Sequence, residues 1–134
     1  MYNIDDNRTF IPLRIAVLTV SDTRVLEDDK SGTILVERLT AAGHTLAERT
    51  IVRDEIEEIR AQVSAWIVDP EVDAVVTTGG TGFTGRDVTP EALEPLFEKR
   101  MDGFSVVFHQ ISLQKIGVST VQSRAIAEIG RAHV

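Results

Sequence analysis

The sequence predicts an α/β fold: a three-layer α/β/α sandwich around a mostly parallel sheet. Three observations point there. Leu13–Val20 and Asp73–Thr78 are nearly continuous apolar and β-branched runs, the pattern of strands covered on both faces. Segments of helical spacing alternate with such runs, as right-handed crossovers between parallel strands require. A glycine-rich loop then leads from the second run into a helix, where open α/β sheets hold their ligands. At 134 residues and 43% hydrophobic, the chain has the size and composition of one globular domain.

The elements follow in order. Residues 1–12 are largely polar and read as an N-terminal arm, ahead of a domain over 13–127. After the first strand, Asp22–Lys30 is a charged loop. Ser31 is the expected N-cap of a helix carrying Ile34, Leu35, Leu39 and Ala42, stopped by Gly43. Thr45–Arg53 reads as a second strand with Leu46, Thr50 and Val52 on one side. Asp54-Glu-Ile-Glu57 resembles a capping box opening a helix whose apolar stripe is Ile56, Ile59, Val63, Trp66 and Ile67. The third strand ends at Thr78. Thr89-Pro90 places a cap and a first-turn proline ahead of a helix over Glu91–Lys99. A further helix is expected over Phe104–Gln114.

Charge and composition exclude several functions. Acids outnumber bases 21 to 14, for a net charge of −7, which is the wrong sign for a non-specific nucleic-acid binder. The absence of cysteine excludes disulfides, thiolate metal sites and a cysteine nucleophile. No apolar run approaches the ~20 residues of a membrane span, and Met1–Pro12 lacks a signal-peptide layout. A cytoplasmic location is expected, with neither membrane nor nucleic acid as a partner.

The informative segment is Thr77–Ala92, which contains Gly79, Gly80, Gly82 and Gly85 followed by Arg86-Asp87. Glycines there let backbone amides approach an anion, and the start of a helix favours negative charge. A tight strand-to-helix turn would need only one or two glycines. A P-loop is excluded because no lysine lies between Lys30 and Lys99. Gly80-Thr-Gly82-Phe-Thr-Gly85 matches a dinucleotide fingerprint literally, but it follows the third strand instead of the first. Asp22, Asp54 and Asp87 sit where strands end or just beyond. Carboxylates beside a phosphate cradle suit Mg²⁺, which takes one or two carboxylates plus substrate phosphates. Asp22 could equally form a turn, and Asp54 could cap a helix. His44 reads as a surface residue, His109 as helix packing and Trp66 as core. Ser123-Arg124 could meet an anion or lie on the surface.

Five pieces of the chain together resemble the MoaB/MogA molybdopterin-binding family: Ile15–Asp22, Asp29-Lys-Ser-Gly32, Ala61–Ile67, Thr77–Leu93 and Ser123-Arg-Ala125. The resemblance spans about residues 13–127. It implies a role in molybdenum cofactor biosynthesis, in which active relatives adenylylate molybdopterin with ATP and Mg²⁺. It also implies that Asp54, Asp87 and Asp22 are catalytic, with Asp87 and Asp22 holding metal. Ser21, Gly79, Gly80, Thr81, Gly82 and Ser123 would line the pterin and nucleotide site. Implied partners are molybdopterin, ATP, other molybdenum cofactor biosynthesis proteins and copies of the same chain in a homo-trimer or hexamer. Alternatives are a non-catalytic molybdopterin carrier and a CinA-like domain. Relatives continue past Ala127 with a strand, a Pro-Gly loop and a long helix, so the last strand and helix are expected to be missing. Residues 128–134 read as a non-native tail with no strand or helix pattern.

Overall fold

A computed structural model describes residues 8–80, 87–116 and 128–129. Its centre is β1 (Arg14–Val20), flanked by β2 (Thr45–Val52) and β3 (Ala74–Thr78), with both pairings parallel and the order β2-β1-β3. The central position explains the unbroken apolar run. Ala16, Val17 and Leu18 have no exposed surface, because helices cover both faces.

Alternate residues of β1 face two separate cores. Ala16, Leu18 and Val20 pack with Ile59, Val63 and Trp66 of α2 (Ile56–Ile67) and with Ala92 and Leu93 of α3 (Thr89–Leu93). Ile15 and Val17 pack with Leu39 and Leu35 of α1 (Lys30–Ala41) on the other face. This is the expected three-layer sandwich, and the α2 stripe is the one its spacing predicts. Trp66 is fully buried and its indole N–H donates to the Glu48 carboxylate, so the largest apolar group of the core has its one donor satisfied.

β2 departs from expectation. Ile15 pairs with Leu46, but Ala16 pairs with Glu48, so Ala47 is an extra residue. The irregularity reverses the side-chain alternation. Leu46 therefore faces the α1 core while Val52 faces the α2 core, and the two do not share a side.

All three expected helix caps differ. Asp29, not Ser31, caps α1, accepting the Gly32 N–H at 3.0 Å. A short 3₁₀ turn over Leu26–Asp28 precedes it within the charged loop. Glu55 is the N-cap residue of α2, without a side-chain cap bond, which releases Asp54. Val88 precedes α3, and Thr89 is already its first residue. The helix expected to reach Lys99 ends at Leu93. Pro95 has no N–H and its ring opposes a continuing helix. The chain tightens into a 3₁₀ turn over Glu94–Leu96 and is extended by Phe97. β4 (Lys99–Arg100) then pairs antiparallel with β5 (Glu128–Ile129), a strand where no strand pattern was read.

α4 (Asp102–Ile116) is longer than expected by two residues at each end. It leaves Phe104, Val106, Val107, Phe108, Ile111 and Leu113 exposed. His109 packs as expected, its Nδ1 2.6 Å from the Ser105 carbonyl and its ring against Phe108. His44 is half-buried instead of lying free on the surface. Its Nδ1 accepts the Leu13 N–H at 2.9 Å, and Phe10 of the arm lies against its ring. Gly43, at φ +93°, ends the first helix as predicted. Among the described residues no helix is long and apolar enough to cross a membrane.

The amino end of the sheet is closed by charge. Arg14 donates from its backbone N–H (2.9 Å), Nε (3.1 Å) and Nη2 (3.0 Å) to the Asp73 carboxylate, and from Nη1 to Glu71 at 2.9 Å. These bonds, with Arg14 first, hold the Asp73 carboxyl well below the usual carboxylate range, at about 2.

Candidate functional site

The carboxyl ends of the three parallel strands meet at one place. β1 runs out into Ser21-Asp22, β2 into Arg53-Asp54, and β3 into Gly79-Gly80. The Ser21 N–H donates to the Val52 carbonyl at 2.9 Å, keeping the first two exits side by side. The Asp54 N–H then donates to Asp22 Oδ1 at 3.1 Å. Asp54 in turn accepts the Val88 N–H on Oδ1, also at 3.1 Å, one residue past Asp87. A chain of bonds thus links β1, β2 and the approach to α3.

The two described glycines of the loop are required where they stand. Gly79 and Gly80 have φ of +94° and +68°, a region that disfavours side chains. A Cβ on Gly79 would also strike the Val20 carbonyl oxygen, and one on Gly80 the Thr89 hydroxyl. The same Gly80 Cβ would lie 3.2 Å from Asp54 Oδ1, so backbone passes directly beside the carboxylate. Thr89, read as a cap, instead donates its hydroxyl to the Gly79 carbonyl at 2.9 Å, and its N–H to the Gly80 carbonyl at 3.0 Å. Both bonds clamp the end of β3 to the start of α3.

Beside this junction lies an open cleft of about 490 Å³ lined by Arg53, Asp54, Glu55, Ile56, Glu57, Glu58 and Val88. Its lining is acidic, and its one cation, Arg53, pairs with Glu58 at 2.9 Å. Such a cleft accepts a polyanionic ligand only together with a cation. Asp54 is 9% exposed and Asp22 lies at the surface, so the first is shaped by the fold and the second faces solvent. Both offer hard oxygen donors, the donor type Mg²⁺ requires, though the described residues contain no group of three or more metal-ligating side chains.

The structure therefore brings together Asp22, Asp54, Gly79, Gly80 and, through its neighbour Val88, the Asp87 segment. Ser21 is also at the junction, but its hydroxyl oxygen accepts the Thr23 and Arg24 N–H groups at 3.4 and 3.2 Å, the pattern of a turn former. Thr81, Gly82, Arg86, Ser123 and Arg124 lie outside the described residues. Two contributors were not read from the sequence. Thr89 carries the sequence pattern of a helix cap, which hides its bond to the Gly79 carbonyl. The Val88 amide carries no side-chain signature at all.

A family model described as a probable molybdopterin binding domain matches residues 16–133. The chain belongs to the MoaB/MogA molybdopterin-binding family. It is 51% identical over 120 residues to molybdenum cofactor biosynthesis protein B of Escherichia coli K12, covering 90% of this chain and 71% of that protein. The Bacillus subtilis protein of the same name is 44% identical over 118 residues, covering 87% and 69%. Among solved structures, one molybdenum cofactor biosynthesis protein B superposes with a TM-score of 0.86 at 45% identity, over 92% of this chain and 78% of that one. The tungsten cofactor synthesizing protein MoaB from Pyrococcus furiosus superposes at 0.80 and 36%, over 92% and 77%. CinA from Thermoplasma acidophilum shares the fold alone, at 0.57 and 20% identity over 77% and 62%.

Proposed function

We propose that this chain acts in molybdenum cofactor biosynthesis, and that its step is the Mg-ATP-dependent adenylylation of molybdopterin. Family membership supports the first half. The observation that carries the second is the junction at the carboxyl ends of the strands. There a glycine turn forced to positive φ passes beside Asp54, which is itself tied to Asp22 and to the residue after Asp87.

In this reaction a terminal phosphate oxygen of molybdopterin attacks the α-phosphorus of ATP. A new phosphoanhydride bond forms, the bond to the β-phosphate breaks, and pyrophosphate leaves with its electron pair. The nucleophile is already ionised, so the protein's task is alignment and control of charge, not proton abstraction. Gly79 and Gly80 give phosphate groups access to the backbone. Asp22 and Asp87 would hold Mg²⁺, which when bound neutralises triphosphate charge. Asp54, buried and fixed by the Val88 amide, holds the glycine turn and Asp22 in mutual register. The same reading makes the protein cytoplasmic, a partner of other cofactor-biosynthesis proteins, and a homo-trimer or hexamer. The apolar side chains that α4 exposes support assembly.

The test is pyrophosphate release from ATP in the presence and absence of molybdopterin. Asp87→Ala is expected to abolish the molybdopterin-dependent release while leaving the circular dichroism spectrum intact. Release at the unmutated rate in that variant contradicts adenylylation at this site. Molybdopterin binding without release in the unmutated chain identifies a carrier.

A further inference from the structure

The charged loop between β1 and α1 carries Ser21 and Asp22 to the site, and its far end is Asp29. Asp29 is the one acid among the largest fully buried side chains of the described residues, at 1% exposure. Its Oδ2 accepts the Thr19 hydroxyl at 2.7 Å and Arg49 Nη2 at 3.2 Å, and its Oδ1 accepts the Gly32 N–H at 3.0 Å. Arg49 Nη2 also reaches the Asp29 carbonyl and the Thr33 hydroxyl, each at 3.0 Å. Burial pushes this carboxyl up, but the hydrogen bonds from Thr19, Gly32 and Arg49 and the guanidinium charge outweigh it and hold it ionised. Gly32 is part of the same fit, since a Cβ there would collide with the Asp29 carboxylate.

A helix cap needs one acceptor oxygen, and an exposed one suffices. Asp29 does more, because Arg49 belongs to β2, the strand that runs on to Asp54. The loop is thus strapped to β2 at both ends. At its start are the Ser21 N–H on the Val52 carbonyl and the Asp54 N–H on Asp22; at its end is the Asp29–Arg49 pair. Between them the loop closes on itself through Ser21 Oγ with Thr23 and Arg24, and through the Val25 N–H with Asp28.

We propose that Asp29 and Arg49 are positioning residues for the site, holding the loop so that Asp22 stays against the Asp54 backbone. The inference deepens the reading of this site as catalytic, yet its test needs no turnover. The Asp54 amide reports the position of Asp22 directly, and it lies outside α1 and outside the ion pair. Asp29→Asn keeps an acceptor for the Gly32 N–H and removes the charge that Arg49 needs.

Hydrogen exchange on the ligand-free chain decides the question. Asp29→Asn is expected to speed exchange at Thr23, Arg24 and Asp54 by about tenfold, the scale of losing one charge-assisted bond, while Val17 and Leu18 keep their protection. Arg49→Met is expected to reproduce that pattern. Unchanged exchange at Asp54 in either variant overturns the proposal. Equal acceleration at Val17, Leu18 and Asp54 also overturns it, because the pair would then support the whole fold and not the loop. Failure of the adenylylation reading registers elsewhere, as absence of pyrophosphate release in the unmutated chain.

Discussion

The two ends of the sheet use acids in opposite ways. At the amino end, Asp73 and Glu71 surround one guanidinium, Arg14, and opposite charges are paired where strands β1 and β3 begin. At the carboxyl end, Asp22 and Asp54 accept backbone N–H groups from neighbouring segments, and glycines stand where a Cβ would strike the Val20 carbonyl or the Thr89 hydroxyl. The first arrangement joins two strands. The second also joins segments, but it leaves carboxylate oxygen beside an open cleft, which is the arrangement the proposed Mg-ATP site relies on. On the proposed reading, the acids at one end of the three strands only pair with a cation, while those at the other end also serve the site.

The largest expected effect is on turnover at the carboxyl end. Asp22→Asn keeps an oxygen for the Asp54 N–H but loses the charge that would hold Mg²⁺, and adenylyl transfer is expected to fall by about 10²–10³-fold. Steady-state pyrophosphate release measures it, with the thermal midpoint changed little. Gly79→Ala comes next. Positive φ and the collision with the Val20 carbonyl are expected to cost about 1–3 kcal/mol, read as a lower urea midpoint at unchanged slope. A loss of that size shows that the open turn is held in place by the fold.

The amino end answers to pH. Asp73 titrates near 2 in the folded chain, against ~3.9 for an unperturbed aspartate. The unfolded chain therefore binds more protons between those values, and stability rises with pH there. The contribution is complete above about pH 4 and is lost as pH falls toward 2. Asp29, also depressed, adds to the same acid slope. Asp73→Asn is expected to flatten the slope in urea titrations from pH 2 to 5, with pyrophosphate release at pH 7 unchanged. The smallest effect belongs to Arg14→Met, which removes an exposed network: a slight drop in thermal midpoint, reduced further by salt, and no change in release.

Much of this division is legible in the sequence. The apolar runs of β1 and β3, the α2 stripe and the Gly79-Gly80 turn follow from burial on two faces and from spacing, which are local properties. That Asp22 and Asp54 meet at one end of the sheet was legible because both follow the ends of parallel strands. The caps were not legible. Asp29, Glu55 and Val88 each precede the residue expected to do the work or follow it closely, and neighbours across the sheet decide among them. Asp54 is drawn away from its own helix by the Val88 amide, 34 residues on. Ala47 could not be read either, because an extra residue in β2 leaves no mark until the strand is paired with β1. The early end of α3 at Leu93 was available from Pro95.

The most direct measurement is an NMR titration of the ligand-free chain with Mg-ATP, following backbone amides at both ends of the sheet. The amides of Asp54, Gly79, Gly80 and Val88 should shift in a saturable way while those of Arg14 and Asp73 stay fixed. Saturable shifts at Arg14 and Asp73, or none at the carboxyl end, would contradict the assignment of ligand binding to the acids and glycines where the strands end.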